Sequence, residues 1–201
     1  MYHRIRMTAD ETRDRIITVA EEQFRRMGYA KTAVADIAQA LGMSPANVYR
    51  FFESKSAINN AICRRYMEEC ERRLAAVING SGTAAERLRQ LPLVLLDFNR
   101  TTFTDEHRLH DMVTAAMEEN WPAIEQHIDR IRCYYEKIIR IGVEAGEFFE
   151  ADPKTASDTI QGMFVITCHP MLIAQCAGDD LDGLANRIAD MVLRALTSPK
   201  T

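Results

Sequence analysis

The sequence predicts an all-α protein of about nine helices, built as an amino-terminal three-helix head followed by a larger helical body. Three observations carry this. Apolar residues recur at spacings of three and four almost throughout, and no stretch alternates as a strand would. Helix starts are marked by Thr, Ser or Asp before Glu or Pro, and helix ends by glycine. The composition, 47% hydrophobic and 27% charged over 201 residues, is that of a folded chain able to bury a real core.

Residues 1–7 hold His3, Arg4 and Arg6 without apolar periodicity and read as a mobile arm. Thr8 and Glu11 form a capping box at the start of the first helix. Ile16, Ile17, Ala20 and Phe24 mark its buried stripe, and Gly28 stops it. Thr32 is the expected N-cap of the second helix, whose inner face is Val34, Ile37, Ala38 and Leu41. Gly42 ends it, and Ser44-Pro45 opens a third helix to about Phe52, with Pro at the first position. Ser54 caps a long fourth helix that reaches Asn79-Gly80 with no flexible linker behind the head. Thr83 opens a fifth helix, which Pro92 is expected to kink. A sixth covers about Asp105–Asn120, and a seventh starts at Pro122, carries Ile124, Ile128, Ile131, Tyr135 and Ile138 inward, and ends at Gly146. Asp152-Pro153 starts an eighth, apolar nearly all round to about Ala177, which calls for cover on both sides. The last runs from Leu181 to about Leu196 with Leu184, Ile188, Met191, Val192 and Ala195 on one stripe.

The third helix carries the functional signal. Val48, Phe51 and Phe52 can pack inward, which leaves Ala46, Asn47, Tyr49 and Arg50 outside. Asn pairs bidentately with adenine and Arg with guanine, and Ala or an aromatic ring can touch a thymine methyl, so this face suits a major groove. Lys55, beside the positive start of the fourth helix, can hold a phosphate. Residues 1–55 carry net +2 and the remainder net −6, a basic head on an acidic body.

The string of Ala20, Phe24, Gly28, Thr32, Ile37, Ala38, Gly42, Ser44, Val48, Tyr49, Phe52, Ser54 and Lys55 resembles the amino-terminal domain of the TetR family of bacterial transcriptional regulators. The likeness is close over roughly the first sixty residues and general beyond them. It implies a helix-turn-helix DNA-binding domain over 1–53 and an effector-binding and dimerisation domain over 54–201. The expected DNA-binding set is Thr32, Ser44, Pro45, Ala46, Asn47, Tyr49, Arg50 and Lys55, although Pro45 and Ala46 stand where members often carry Lys or Gly. The implied partners are a near-palindromic duplex operator, a small apolar or aromatic effector, and a second copy joined through helices about 153–177 and 181–197. Aromatic and sulphur-bearing residues of the body, Phe98, Phe103, Met112, Met117, Trp121, Tyr134, Phe164 and His169, are the candidate pocket wall.

Competing chemistries find little support. His107 and His110 lie one turn apart near Glu106 and Asp111, but two ligands do not make a metal site, and a solvated face is the simpler reading. Cys168-His169 with Cys176 sits in apolar surroundings, where thiols act as small hydrophobes. No phosphate loop or hydrolase motif is present, so neither an enzyme, a cofactor nor a metal is expected. The five scattered cysteines and the absence of a signal-like or membrane-length apolar run point to a cytoplasmic location. A dimeric helical scaffold whose head binds protein is the alternative, against which the Asn47, Tyr49, Arg50 and Lys55 set argues.

Overall fold

A computed structural model describes residues 7–104, 107–119, 121–149 and 152–198. The expected arm, the onset of the sixth helix at Asp105 and the side chains of Phe103, His107, His110 and Trp121 lie outside the described residues. Among those described are eleven α-helices: α1 Ala9–Met27, α2 Val34–Leu41, α3 Pro45–Tyr49, α4 Lys55–Asn79, α5 Ala84–Asn99, α6 His107–Glu119, α7 Trp121–Glu144, α8 Pro153–Met163, α9 Val165–Cys168, α10 Pro170–Gln175 and α11 Leu181–Thr197. A π-helical turn, Arg100–Thr104, follows α5 directly. The chain divides into two compact units, Met1–Tyr66 with Glu106–Trp121 and Met67–Asp105 with Pro122–Thr201, so the continuous helix α4 contributes to both.

Local chemistry sets most of the boundaries. The Thr8–Glu11 capping box starts α1, and Thr83 with Glu86 builds the same device at α5. Two further amides at that start, on Ala84 and Ala85, donate to the Glu147 carboxylate at 3.0 and 3.2 Å. Ser54 Oγ accepts from the Ala57 amide at 3.0 Å, and Asp152 caps α8 ahead of Pro153. α5 runs on past Pro92, which is buried within it.

The first unit is built on the inner face of α1. Ile16, Ala20 and Phe24 are sealed from solvent together with Ile37, Ala38, Val48, Ile58 and Ile62. Phe24 meets Tyr29 edge to face at 5.1 Å. The buried Asn59 of α4 donates to the Met112 carbonyl of α6 at 3.1 Å, which ties α6 into this unit. A polar cluster closes the outside of the α1–α4 contact: Glu21 accepts from Arg25, Arg65 and the Tyr66 hydroxyl.

The second unit packs α11 against α5, with Leu88, Leu91, Leu95 and Leu96 inside beside Leu74, Tyr135, Ile138, Ile139, Phe164 and Ile173. Here the structure corrects one expectation. The stretch 153–177 is not one helix but three, α8, α9 and α10, which accounts for eleven helices where nine were expected. Pro170 has no amide hydrogen to continue the ladder, and it pushes His169 to extended backbone, φ −84° and ψ 120°. Phe164, at φ −90° and ψ 3°, makes the earlier break. Met163 and Val165 beside it are exposed, so this stretch is not covered on both sides within the chain.

Two glycines of this unit test its packing with opposite signs. An added Cβ at Gly142 would lie 2.1 Å from Cδ2 of the buried Phe148 ring, whereas one at Gly162 meets nothing within 4 Å. Gly142→Ala is expected to destabilise the protein by about 1–3 kcal/mol through overpacking. Gly162→Ala should stabilise by roughly 0.5–1 kcal/mol by restricting the unfolded chain. Thermal melts read both; midpoints moving in the same direction would show that the Phe148 contact does not control this corner.

Candidate functional site

The helix-turn-helix forms as its residues demand. α2 ends at Gly42, whose left-handed backbone, φ 66° and ψ 32°, favours a residue without a Cβ. The Met43 amide then reaches back to the Ala38 carbonyl at 2.9 Å and closes the turn. Ser44 Oγ accepts from the Asn47 amide at 3.3 Å, with Pro45 at the first position of α3. α3 spans only Pro45–Tyr49, shorter than the expected reach to Phe52, and hydrogen-bonded turns carry the chain on to Phe52.

This short helix is held from behind. Val48 is fully buried and Phe52 nearly so. Arg13 of α1 donates from Nη1 to the Phe51 carbonyl at 2.9 Å, and its guanidinium lies 4.2 Å from the centre of the Phe52 ring. What remains outside is Ser44, Pro45, Ala46, Asn47, Tyr49 and Arg50, with Tyr49 52% exposed. Among the described residues, the side chains of Asn47, Tyr49 and Arg50 make no internal hydrogen bond or ion pair. Their polar ends are available to a partner.

Two members of the expected DNA-binding set sit differently. Thr32 is not the N-cap of α2: that position is Ala33, whose amide donates to the Asp36 carboxylate at 2.8 Å. Thr32 is buried instead, its hydroxyl donating to the Gly28 carbonyl at 2.8 Å, so it locks the α1–α2 corner. Lys55 is part of the same corner. Its ammonium donates to the Tyr29 carbonyl at 2.9 Å and the Ala30 carbonyl at 3.4 Å, and stands 4.4 Å above the Tyr29 ring. An ammonium has three donors, so one can still serve a phosphate.

The candidate pocket residues divide between the units. Met112 and Met117 belong to the first, where Met112 is buried against α4. Phe98, Tyr134, Phe164 and His169 belong to the second. Phe98 is buried, with the Arg73 guanidinium 5.1 Å from its ring centre. Tyr134 is turned toward α4, its hydroxyl donating to the Glu71 carbonyl at 3.3 Å. Phe164 is sealed and lies parallel to the Tyr135 ring at 6.0 Å. His169 has its Nδ1 buried without a partner, and burial lowers its pKa, which keeps the imidazole neutral.

Tyr135 is the residue that sequence reasoning passed over. It stood in the stripe Ile128, Ile131, Tyr135, Ile138 as one more inward residue, and the only signal was a polar tip among aliphatic neighbours. It is 1% exposed, its hydroxyl has no hydrogen-bond partner among the described residues, and burial pushes its pKa well above the ordinary phenol value. The thiols nearby are equally inert: burial pushes Cys70 and Cys168 up to about 12. Among the described residues no group of His, Cys, Asp and Glu could hold a metal ion, and no helix is long and apolar enough to cross a membrane.

A head of this geometry, in a chain that also holds a second helical unit, defines a helix-turn-helix regulator, and comparison with known proteins identifies the lineage. Residues 16–62 match the family model for bacterial regulatory proteins of the tetR family, and residues 84–189 match that for a tetracyclin repressor-like carboxy-terminal domain. The chain belongs to the TetR family of transcriptional regulators, which are not enzymes. It is 37% identical over 62 residues to the HTH-type transcriptional regulator TtgR of Pseudomonas putida, a match covering 31% of this chain and 30% of TtgR. The chain thus matches less than a third of that relative's length. A TetR/AcrR-family regulator from Thermobifida fusca is 25% identical with a TM-score of 0.64, over 90% of this chain and 96% of that one. The fold is shared with FadR from Bacillus subtilis, solved with stearoyl-CoA, at 20% identity and a TM-score of 0.66 over 90% of this chain and 97% of that one. SmeT of Stenotrophomonas maltophilia, repressor of a multidrug efflux pump, is 21% identical with a TM-score of 0.66 over 91% of this chain and 89% of its own.

The two roles expected of the head, reading bases and holding its own corner, should separate by mutation. Asn47→Ala and Arg50→Ala remove exposed groups and should leave the melting temperature unchanged while each costs about 1–3 kcal/mol on a preferred duplex. Lys55→Ala removes a corner tie as well as a cation, so it should lower the melting temperature and weaken all duplexes about equally. Melting curves beside duplex titrations decide it; an unaltered melt for Lys55→Ala would mean the Tyr29 and Ala30 contacts contribute nothing.

Proposed function

We propose that the protein is a repressor that binds a near-palindromic operator as a homodimer and is released by a small apolar or aromatic effector. The observation that carries the reading is the solvent face of α3. A helix anchored by Val48, Phe52 and Arg13 presents Asn47, Tyr49 and Arg50, whose polar groups meet no partner among the described residues. Selection of bound sequences from random duplexes tests it, with a steep loss of binding on adding salt as the expected accompaniment. A head that binds only protein would enrich no sequence and show no such slope.

Dimerisation is supported by a second stripe on α11. Leu181, Ala185, Ala189, Val192 and Leu193 are buried within the chain. Leu184, Ile188, Met191 and Ala195 follow one another at helical spacing on a neighbouring face, and they run from half-buried to exposed, with Met191 61% exposed. Met163 and Val165 at the α8–α9 break are further uncovered apolar groups. A two-fold pairing would bury these faces and set two heads on two half-sites.

Release by an effector needs only a difference in its affinity for the DNA-competent and incompetent states. A tenfold to hundredfold loss of DNA binding corresponds to about 1.4–2.8 kcal/mol of coupling, and the operator must weaken effector binding by the same factor. α4, unbroken from Lys55 to Asn79, belongs to both units and is the element on which such coupling would act.

Met191→Glu and Ile188→Glu are the substitutions that test the dimer. Each would place an unpaired charge in the proposed interface while sparing the core of the chain. Ile173→Glu is unsuitable, since Ile173 is buried among Leu96 and Leu181 of its own chain. Sedimentation at micromolar concentration should show monomers for the α11 variants with retained helicity and a flattened operator isotherm. Persistence of dimers in both variants would place the interface elsewhere.

A further inference from the structure

We propose that the broken stretch from Phe164 to His169 takes a neutral ligand with a flat apolar body and one hydrogen-bonding group, which docks on the Tyr135 hydroxyl. This rests on the effector reading above and narrows it to a chemical class. Three irregularities converge here. The backbone is interrupted at Phe164 and again at His169. α9 packs on α5, and α10 packs on the π-helical turn that follows α5. Such turns inside helical proteins commonly mark functional positions. Within this region the Tyr135 hydroxyl and His169 Nδ1 are both buried with no partner among the described residues.

The neighbouring polar groups are already engaged, which isolates these two. Thr167 donates to the Phe164 carbonyl at 3.0 Å, and Asn99 donates to the Cys168 carbonyl at 2.6 Å. Native proteins leave few buried polar atoms unsatisfied, and each such atom calls for a reason. A reserved ligand contact is one, because an empty anchor costs stability until its partner arrives. The class follows from the surroundings. The Tyr135 and Phe164 rings lie parallel at 6.0 Å, 5° apart in tilt, an aromatic stack that a flat apolar body would extend. Tyr135, Cys70 and Cys168 stay protonated and His169 stays neutral, so none of them supplies a charge to balance a carboxylate or phosphate.

The test is calorimetric titration of the full chain with 2-naphthol, 2-methylnaphthalene and 2-naphthoate, matched in body and differing in one group. The wild type should bind 2-naphthol about threefold to tenfold more tightly than 2-methylnaphthalene, the range of one net hydrogen bond, and 2-naphthoate least. Tyr135→Phe should erase the preference for 2-naphthol and leave 2-methylnaphthalene unchanged. With no ligand the same variant should melt about 2–4 °C higher, since it removes an unsatisfied group. A preference that survives Tyr135→Phe, tightest binding of 2-naphthoate, or a lower melting temperature in the empty variant would each overturn the assignment. Failure of all three probes to bind would overturn the ligand class. The broader effector reading is judged separately, by whether any compound displaces operator DNA.

Discussion

A helix of five residues has no stability of its own, because the cost of its first turn is not recovered over so few hydrogen bonds. α3 is such a helix, so everything that gives it a fixed direction comes from outside it. Ser44 and Pro45 set its start, Gly42 sets the angle at which the chain arrives, and Val48 and Phe52 bury its inner side. Arg13 then spans from α1 to the carbonyl of Phe51 and the ring of Phe52. The direction of the solvent face of α3 is therefore a property of the whole first unit. This explains why Thr32 and Lys55, which the family resemblance placed in the DNA-binding set, spend their polar atoms on the α1–α2 corner that carries α2 and α3.

Legibility in the sequence follows the range of the interaction. Caps and left-handed glycines act within four residues, and Thr8, Gly42, Ser44, Ser54, Thr83 and Asp152 all behave as their local patterns require. Thr32 failed as a cap because two carbonyls upstream competed for its hydroxyl, while Asp36 was placed to satisfy the Ala33 amide. The three-way division of 153–177 was signalled by Pro170, yet the run of apolar residues on either side reads through it as one helix. On α11 the stripe expected from periodicity shares only Val192 with the face that the chain itself covers, because two apolar stripes lie side by side on this helix.

Side-chain fate across the second unit was the least legible. Tyr134 and Tyr135 are adjacent, equally aromatic and on the same helix, but a helix turns about 100° per residue, so they serve different neighbours. Tyr134 finds the Glu71 carbonyl; Tyr135 finds the Phe164 ring and leaves its hydroxyl alone. Which of two neighbouring tyrosines is satisfied depends on packing between α4, α7 and the α8–α9 break, and no local pattern encodes that.

The two units also differ in how their irregularities are distributed. In the first, each departure from helix is closed by a hydrogen bond: Gly28 by Thr32, the α2 start by Asp36, and the α1–α2 corner by Lys55. The unpartnered Asn59 and Asn60 Oδ1 atoms of the first lie within the continuous helix α4, whereas in the second, breaks at Phe164 and His169 and a π-helical turn lie in one region with the unpartnered Tyr135 hydroxyl and His169 Nδ1. Segments of this kind open at lower free energy than continuous helices, and sites that must admit a ligand are drawn from them. A regulator gains from this division. The face proposed to read DNA is tied down from α1, while the segment proposed to accept a ligand is the one with interrupted helices.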